Sequence, residues 1–241
     1  MITEQIMEKY MRAILAGDRT GCRKAIEEVM QSGTPATSVY MDIIWPMMVE
    51  IEKLHKTEQI TASQEHMATR INRTIVDQLQ NKLPHKQSRG KKIAICCSQS
   101  EIHELGAQMM ADVFDSDGWE VKFLGGGLTS EDVLNFVNEY NPDILMIYGT
   151  EPQQAPEIRH LIDRVKDVHA LGQLKIMVSG GLFNRAEGLW CEIGADMFAA
   201  TAAEAVKIAS GTQQEDAAEL RTINRRKIVQ KRKKEVKEVK P

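Results

Sequence analysis

Residues 93–106 read Ile93-Ala94-Ile95-Cys96-Cys97-Ser98-Gln99-Ser100-Glu101-Ile102-His103-Glu104-Leu105-Gly106. A short apolar run, a polar loop and the onset of helical spacing through Leu105, Met109, Met110 and Val113 make a strand–loop–helix unit. The same alternation repeats downstream. Glu120 to Leu124 reads as a second strand with a helix from Ser130 to Tyr140, and ILMIY at 144–148 as a third with a helix across Ile158 to Val168. KIMVSGG at 175–181 supplies a fourth strand and turn, Ala195 to Ala199 a fifth, and a helix follows from Ala202. Repeated βα units predict a doubly wound, flavodoxin-like, five-stranded parallel sheet, an α/β fold.

Upstream, the period changes. Ile6, Tyr10, Ile14 and Leu15 follow helical spacing, as do Cys22, Ala25, Ile26 and Val29 until Gly33 to Pro35 intervene. Val39, Ile43, Met47, Ile51 and Leu54 mark a third stripe. Thr61 followed by Gln64 is a capping-box pattern that opens a fourth through Met67, Ile71, Ile75 and Leu79. Short connections predict an antiparallel four-helix bundle over 1–84. The polar, breaker-rich segment 84–91 then separates it from a Rossmann-like domain over 91–211.

Composition sets the remaining bounds. The chain has 241 residues, 42% hydrophobic and 27% charged, with 13 Met and few aromatics. No run reaches the roughly 18 apolar residues needed to cross a bilayer, and the acidic, amphipathic start is unlike a signal peptide. A cytoplasmic protein is expected, its four cysteines (Cys22, Cys96, Cys97 and Cys191) reduced thiols without metal-site spacing. The net charge of -3 hides an asymmetry: Arg221 to Pro241 carries about +8, leaving about -11 on the rest. The segment 212–241 therefore reads as a basic C-terminal helix or tail, either a solvated terminus or a contact for nucleic acid or an acidic partner.

In doubly wound sheets, ligands sit beyond the carboxyl ends of the strands. Those ends carry Glu101, His103 and Gly106 after the first strand, and Leu124, Gly125 and Gly126 after the second. Tyr148, Gly149 and Thr150 follow the third, and Ser179, Gly180 and Gly181 the fourth. The glycines suit either close backbone approach to a ligand or tight βα turns. No GxGxxG or Walker pattern occurs, so phosphate cradling is not indicated. His103 can bind a metal through one ring nitrogen while a carboxylate such as Glu101 fixes the other, or it can simply hydrogen-bond backbone at a helix start.

Together, Glu101-x-His103-x-x-Gly106, Leu124-Gly125 and Ser179-Gly180-Gly181 resemble the cobalamin-binding domain of methionine synthase, corrinoid methyl carriers and light-sensing regulators. The usual motif there is Asp-x-His-x-x-Gly, a Ser-x-Leu and a Gly-Gly. In that family the His replaces the cofactor's own base as lower cobalt ligand, and the base threads into the sheet beside the Ser-x-Leu and Gly-Gly segments. The resemblance implies that His103 is the metal ligand, with Glu101 and Gly106 in support. Tyr148 falls where the Ser of Ser-x-Leu is expected. The upstream bundle resembles the family's cap over the upper cofactor face. There, Glu65-His66 matches the Glu-His pair of the light-sensing repressors of carotenoid synthesis, but His55 stands where those carry Trp.

Three functions follow from this resemblance. The first expectation is a cobalamin-binding sensory or regulatory protein acting through a partner, not an enzyme by itself, with an adenosyl or methyl upper ligand and possible self-association. The alternative is a corrinoid methyl carrier serving partner methyltransferases, for which an open upper face at His55 is suited. A third is the same pocket turned to heme or a bilin, with a second His on the upper side.

Overall fold

The computed structural model describes residues 4–168 and 172–211, so the basic segment 212–241 lies outside the described residues. The chain divides into two compact units between Lys86 and Gln87.

The first unit is helical. It contains α1 (Glu4–Leu15), α2 (Arg19–Gln31), α3 (Ala36–Val39), a π-helical turn (Tyr40–Ile44), α4 (Trp45–Lys56) and α5 (Ala62–Gln80). The third predicted stripe is thus a continuous helical stretch interrupted by the π turn, and its cause is local. Pro46 has no N–H to donate and its ring would collide with the carbonyl of Asp42. The chain widens instead, and Trp45 N–H donates to the Tyr40 carbonyl, five residues back. The predicted capping box forms: Thr61 N–H donates to Gln64 Oε1 at 3.0 Å and Gln64 N–H to Thr61 Oγ1 at 3.3 Å. Ile14, Ile26, Ile43, Met47, Ile71 and Ile75 fill the core, where buried Tyr10 Oη donates to Asn72 Oδ1 at 2.7 Å. One stripe position departs from expectation. Met67 is 43% exposed, and its neighbour Ala68 is the fully buried residue.

The second unit is the expected α/β domain. Its strands are β1 (Lys92–Cys97), β2 (Glu120–Gly125), β3 (Ile144–Tyr148), β4 (Lys175–Ser179) and β5 (Met197–Ala199). They form a parallel sheet in the order β2-β1-β3-β4-β5. Helices α6 (Leu105–Ser116), α7 (Ser130–Tyr140), α8 (Ala155–Asp167) and α11 (Ala202–Ala209) form the connections and flanks. Two short helices, α9 (Gly181–Arg185) and α10 (Leu189–Glu192), lie between β4 and β5. Neither is long enough to leave a periodic signature in the sequence.

Side chains alternate between the two faces. Ala94, Cys96, Leu145, Ile147, Ile176 and Val178 pack with Val133 and Val137 of α7 and Ile158 and Ile162 of α8. Burial pushes the Cys96 thiol up to about 12, which keeps it protonated and unreactive. The neighbouring β1 and β3 feed connections that run in opposite directions along the sheet, so the switch point lies between their carboxyl ends.

Candidate functional site at the carboxyl ends of the strands

The loop from Ser98 to Glu104 leaves β1 at this switch point, and it is tied down on several sides. Ser98 N–H donates to the Tyr148 carbonyl of β3 at 2.9 Å, and Gly127 N–H to the Gln99 carbonyl at 3.0 Å. Glu157, in the first turn of α8, accepts from Gln99 N–H and from Ser100 Oγ. Glu104 has no capping bond to α6. Its carboxylate accepts from Gly126 N–H at 3.1 Å instead, joining the loop to the end of β2. A loop held by β3, the β2 turn and α8 together holds His103 on a rigid support.

His103 is half-buried, and Ile102 beside it is 73% exposed. Glu101 is buried beneath the loop, where its carboxylate meets three donors. They are His103 N–H at 2.7 Å and both the N–H and Oγ1 of Thr150 at 2.8 Å. Glu101 thus supports His103 through the backbone. Its bonds go to the backbone of His103 and to Thr150, because buried N–H groups require an acceptor that the loop's own carbonyls do not provide. Glu101→Gln would turn an amide NH₂ toward one set of these donors. We expect a loss of about 1–3 kcal/mol in stability, read from the urea unfolding midpoint.

The glycines are accounted for by neighbouring chain. A Cβ on Gly106 would overlap the Tyr148 hydroxyl and lie 2.9 Å from its Cζ. Gly126 faces the Glu101 carbonyl, and Gly180, at φ 105°, faces the backbone of Gly149. Gly125, at φ 70°, faces the Glu104 carboxylate, and Gly181 faces the Arg185 guanidinium. Buried Ser179 donates from Oγ to the Ala199 carbonyl at 2.7 Å. Leu124 is half-buried and packs toward the α7–α8 core. Gly106→Ala is therefore expected to destabilise the domain by about 1–3 kcal/mol through overpacking. In a Tyr148→Ser background the same Gly106→Ala change should cost clearly less, a coupling read from a double-mutant cycle in the same unfolding assay.

The remaining candidates belong to the helical unit. His55 is exposed in the last turn of α4. Glu65 is buried in the first turn of α5 and accepts from Thr69 Oγ1 at 2.9 Å. His66 is 62% exposed, with Nε2 3.8 Å from Glu65 Oε2. Among the described residues, no three or more His, Cys, Asp or Glu side chains are grouped to hold a bare metal ion. Glu104, Gln154, Glu157 and Arg185 complete the network but were not among the sequence candidates. Gln154 Oε1 accepts from Thr150 N–H, and Arg185 donates to the Thr150 carbonyl. Glu104 had a visible signal, a charge beside the candidate ligand. The other three meet the site only through the sheet.

A helical unit followed by a flavodoxin-like domain with a histidine-bearing loop at its switch point defines a ligand-binding α/β protein with the metal-binding chemistry of imidazole. Residues 6–80 and residues 91–209 each match a B12 binding domain family. The chain belongs to this corrinoid-binding family. It is 23% identical over 215 residues to monomethylamine corrinoid protein 2 of Methanosarcina acetivorans, covering 87% of this chain and 98% of that one. Dimethylamine corrinoid protein 1 of the same organism is 21% identical over 209 residues, covering 86% and 96%. The fold matches the structure of the Methanosarcina barkeri monomethylamine corrinoid protein, with a TM-score of 0.77 at 21% identity, over 86% of this chain and 98% of that one. No helix among the described residues is long and apolar enough to cross a membrane.

The cofactor class is therefore a corrinoid, and the site fits it unevenly. On the loop, a half-buried imidazole on a braced backbone suits a cobalt ligand. Behind the loop, the space left by Gly106 is already taken by Tyr148.

Proposed function

We propose that this chain is a corrinoid methyl carrier in which His103 holds the cobalt from below. The observation that carries this reading is the near end-to-end match, through both domains and in the same order, to methylamine corrinoid proteins. When bound, the corrinoid supplies the exchangeable methyl position, and partner methyltransferases load and unload it. The chain's own residues provide support. Glu101, Glu104 and Glu157 hold the loop backbone, so that the imidazole meets the metal with little reorganisation. Methylamines are the donor class this reading favours, by similarity to the named relatives.

The expected sensor and its light response draw no support from these relatives, nor does the heme or bilin alternative. The Glu65–His66 pair, the main sequence feature behind the sensor, has a local role in α5 through Thr69.

The test is reconstitution with hydroxo-, methyl- and adenosylcobalamin and with cobinamide, followed by absorption spectra and native mass in dark and light. A carrier takes up the methyl form, transfers its methyl group when a cognate methyltransferase is added, and keeps its mass in light. A light-driven change of oligomeric state in the adenosyl form would restore the sensor reading. Failure to take up any corrinoid would overturn both.

A further inference from the structure

The row of residues at the carboxyl edge of the sheet is built unevenly. Cys97, Tyr148, Ser179 and Ala199 stand in register across β1, β3, β4 and β5. In register on parallel strands, their side chains emerge on one face. The Tyr148 hydroxyl reaches Gly106 in the first turn of α6, which identifies that face as the one α6 covers. Three of the four residues are small. α11, which packs on α6 and β5, contributes buried Ala202 and Ala205. Small side chains on the sheet and a glycine on the helix would leave a flat slot between the layers. In this chain the slot holds a phenol. Tyr148 is 6% exposed, and Gly106 has room for it only because it lacks a Cβ.

The slot matters because of corrinoid chemistry. A complete cobalamin carries a benzimidazole on a nucleotide arm attached to the lower side of its ring. When a protein imidazole takes the lower position on cobalt, that base is displaced and has to be housed on the same side, toward the strand ends. A benzimidazole is a flat aromatic bicycle, larger than the phenol already in the slot. The two cannot share it, since a packed interior does not absorb an extra ring without displacing one.

We propose that Tyr148 is a specificity plug. It closes the slot between α6 and the sheet, so that the chain selects corrinoids whose lower arm lacks a base over complete cobalamins. This rests on the reading that His103 is the cobalt ligand.

The experiment titrates the purified full chain with cobinamide, which has no nucleotide arm, and with cobalamin. Binding is followed by absorption, for the wild type and for Tyr148→Ser. The wild type should hold cobinamide at least roughly tenfold more tightly than cobalamin, within the range that overpacking a core produces. Tyr148→Ser should close that gap by raising cobalamin affinity while leaving cobinamide affinity nearly unchanged. A wild type that binds both equally, or a Tyr148→Ser variant that keeps the wild-type preference, would overturn the plug while leaving the corrinoid function intact. Absence of binding by either corrinoid to either protein would overturn the function itself. Because cobalamin's own base competes for the lower cobalt position in any such protein, the change in preference between wild type and variant decides the outcome. Should Tyr148→Ser fold poorly, Tyr148→Ala is titrated in its place with the same expectation.

Discussion

Replacing His103 by alanine is expected to remove the histidine-on signature from the absorption spectrum of the bound corrinoid. Affinity should fall by more than the roughly 10- to 100-fold that changes in outer-shell residues cost at metal sites. The size of the effect follows from how the loop is built. Its backbone is fixed by Glu101, by β3, by the β2 turn and by α8, and none of those bonds uses the histidine ring. Alanine should therefore keep these backbone bonds while taking away the imidazole. Stability should change by less than about 1 kcal/mol, because the side chain is only half-buried. Free imidazole added to the variant should restore the spectrum, since the cavity it would enter is the one the side chain vacates. An unchanged spectrum in His103→Ala would assign the lower ligand to another group.

The largest effect on stability is expected from Gly180→Ala. Gly180 stands at φ 105° and ψ 172°, a conformation essentially confined to glycine, so any side chain there is strained by about 1–3 kcal/mol. Space is also lacking. A Cβ would overlap the carbonyl oxygen of Gly149 and lie 3.0 Å from its carbonyl carbon. That carbonyl cannot yield, since it accepts from Leu182 N–H, while Gly149 N–H donates to the Ser179 carbonyl. Strain and backbone overlap together should cost about 3–5 kcal/mol, measured as a shift of the urea midpoint at constant slope. The variant should also bind corrinoid poorly, because Thr150, next to the displaced Gly149, anchors Glu101 and, through it, the His103 loop. A midpoint within about 1 kcal/mol of wild type would show that the β3 and β4 ends slide past one another freely.

Much of the architecture could be read in advance because its signals are local. The apolar runs at 93–97 and 144–148 carry strand character in themselves, and Thr61 with Gln64 writes a helix start within one turn. The π turn before Trp45 leaves no mark in the apolar pattern, although Pro46 is its cause, because helical spacing survives across it. Met67 reads as a core position for a related reason. Apolar character at nearly the right interval cannot distinguish Met67 from Ala68 until packing chooses the face.

The sequence alone determined that the chain carries helices followed by a parallel βα array, that His103 lies on a strand-end loop, and that its motif is of the corrinoid-binding type. These properties reside in periods of a few residues and in short motifs. Only the tertiary structure decided what the carboxylate of Glu101 holds and what the glycines accommodate. Thr150 is 49 positions from Glu101, and Tyr148 reaches Gly106 only because β3 pairs beside β1 in a particular register. Register is a property of the assembled sheet, in which a shift of one residue would turn Tyr148 to the opposite face. The residue that departs from the family motif is therefore a proposed determinant of specificity only in the assembled fold, where its side chain lies in the slot that Gly106 leaves open.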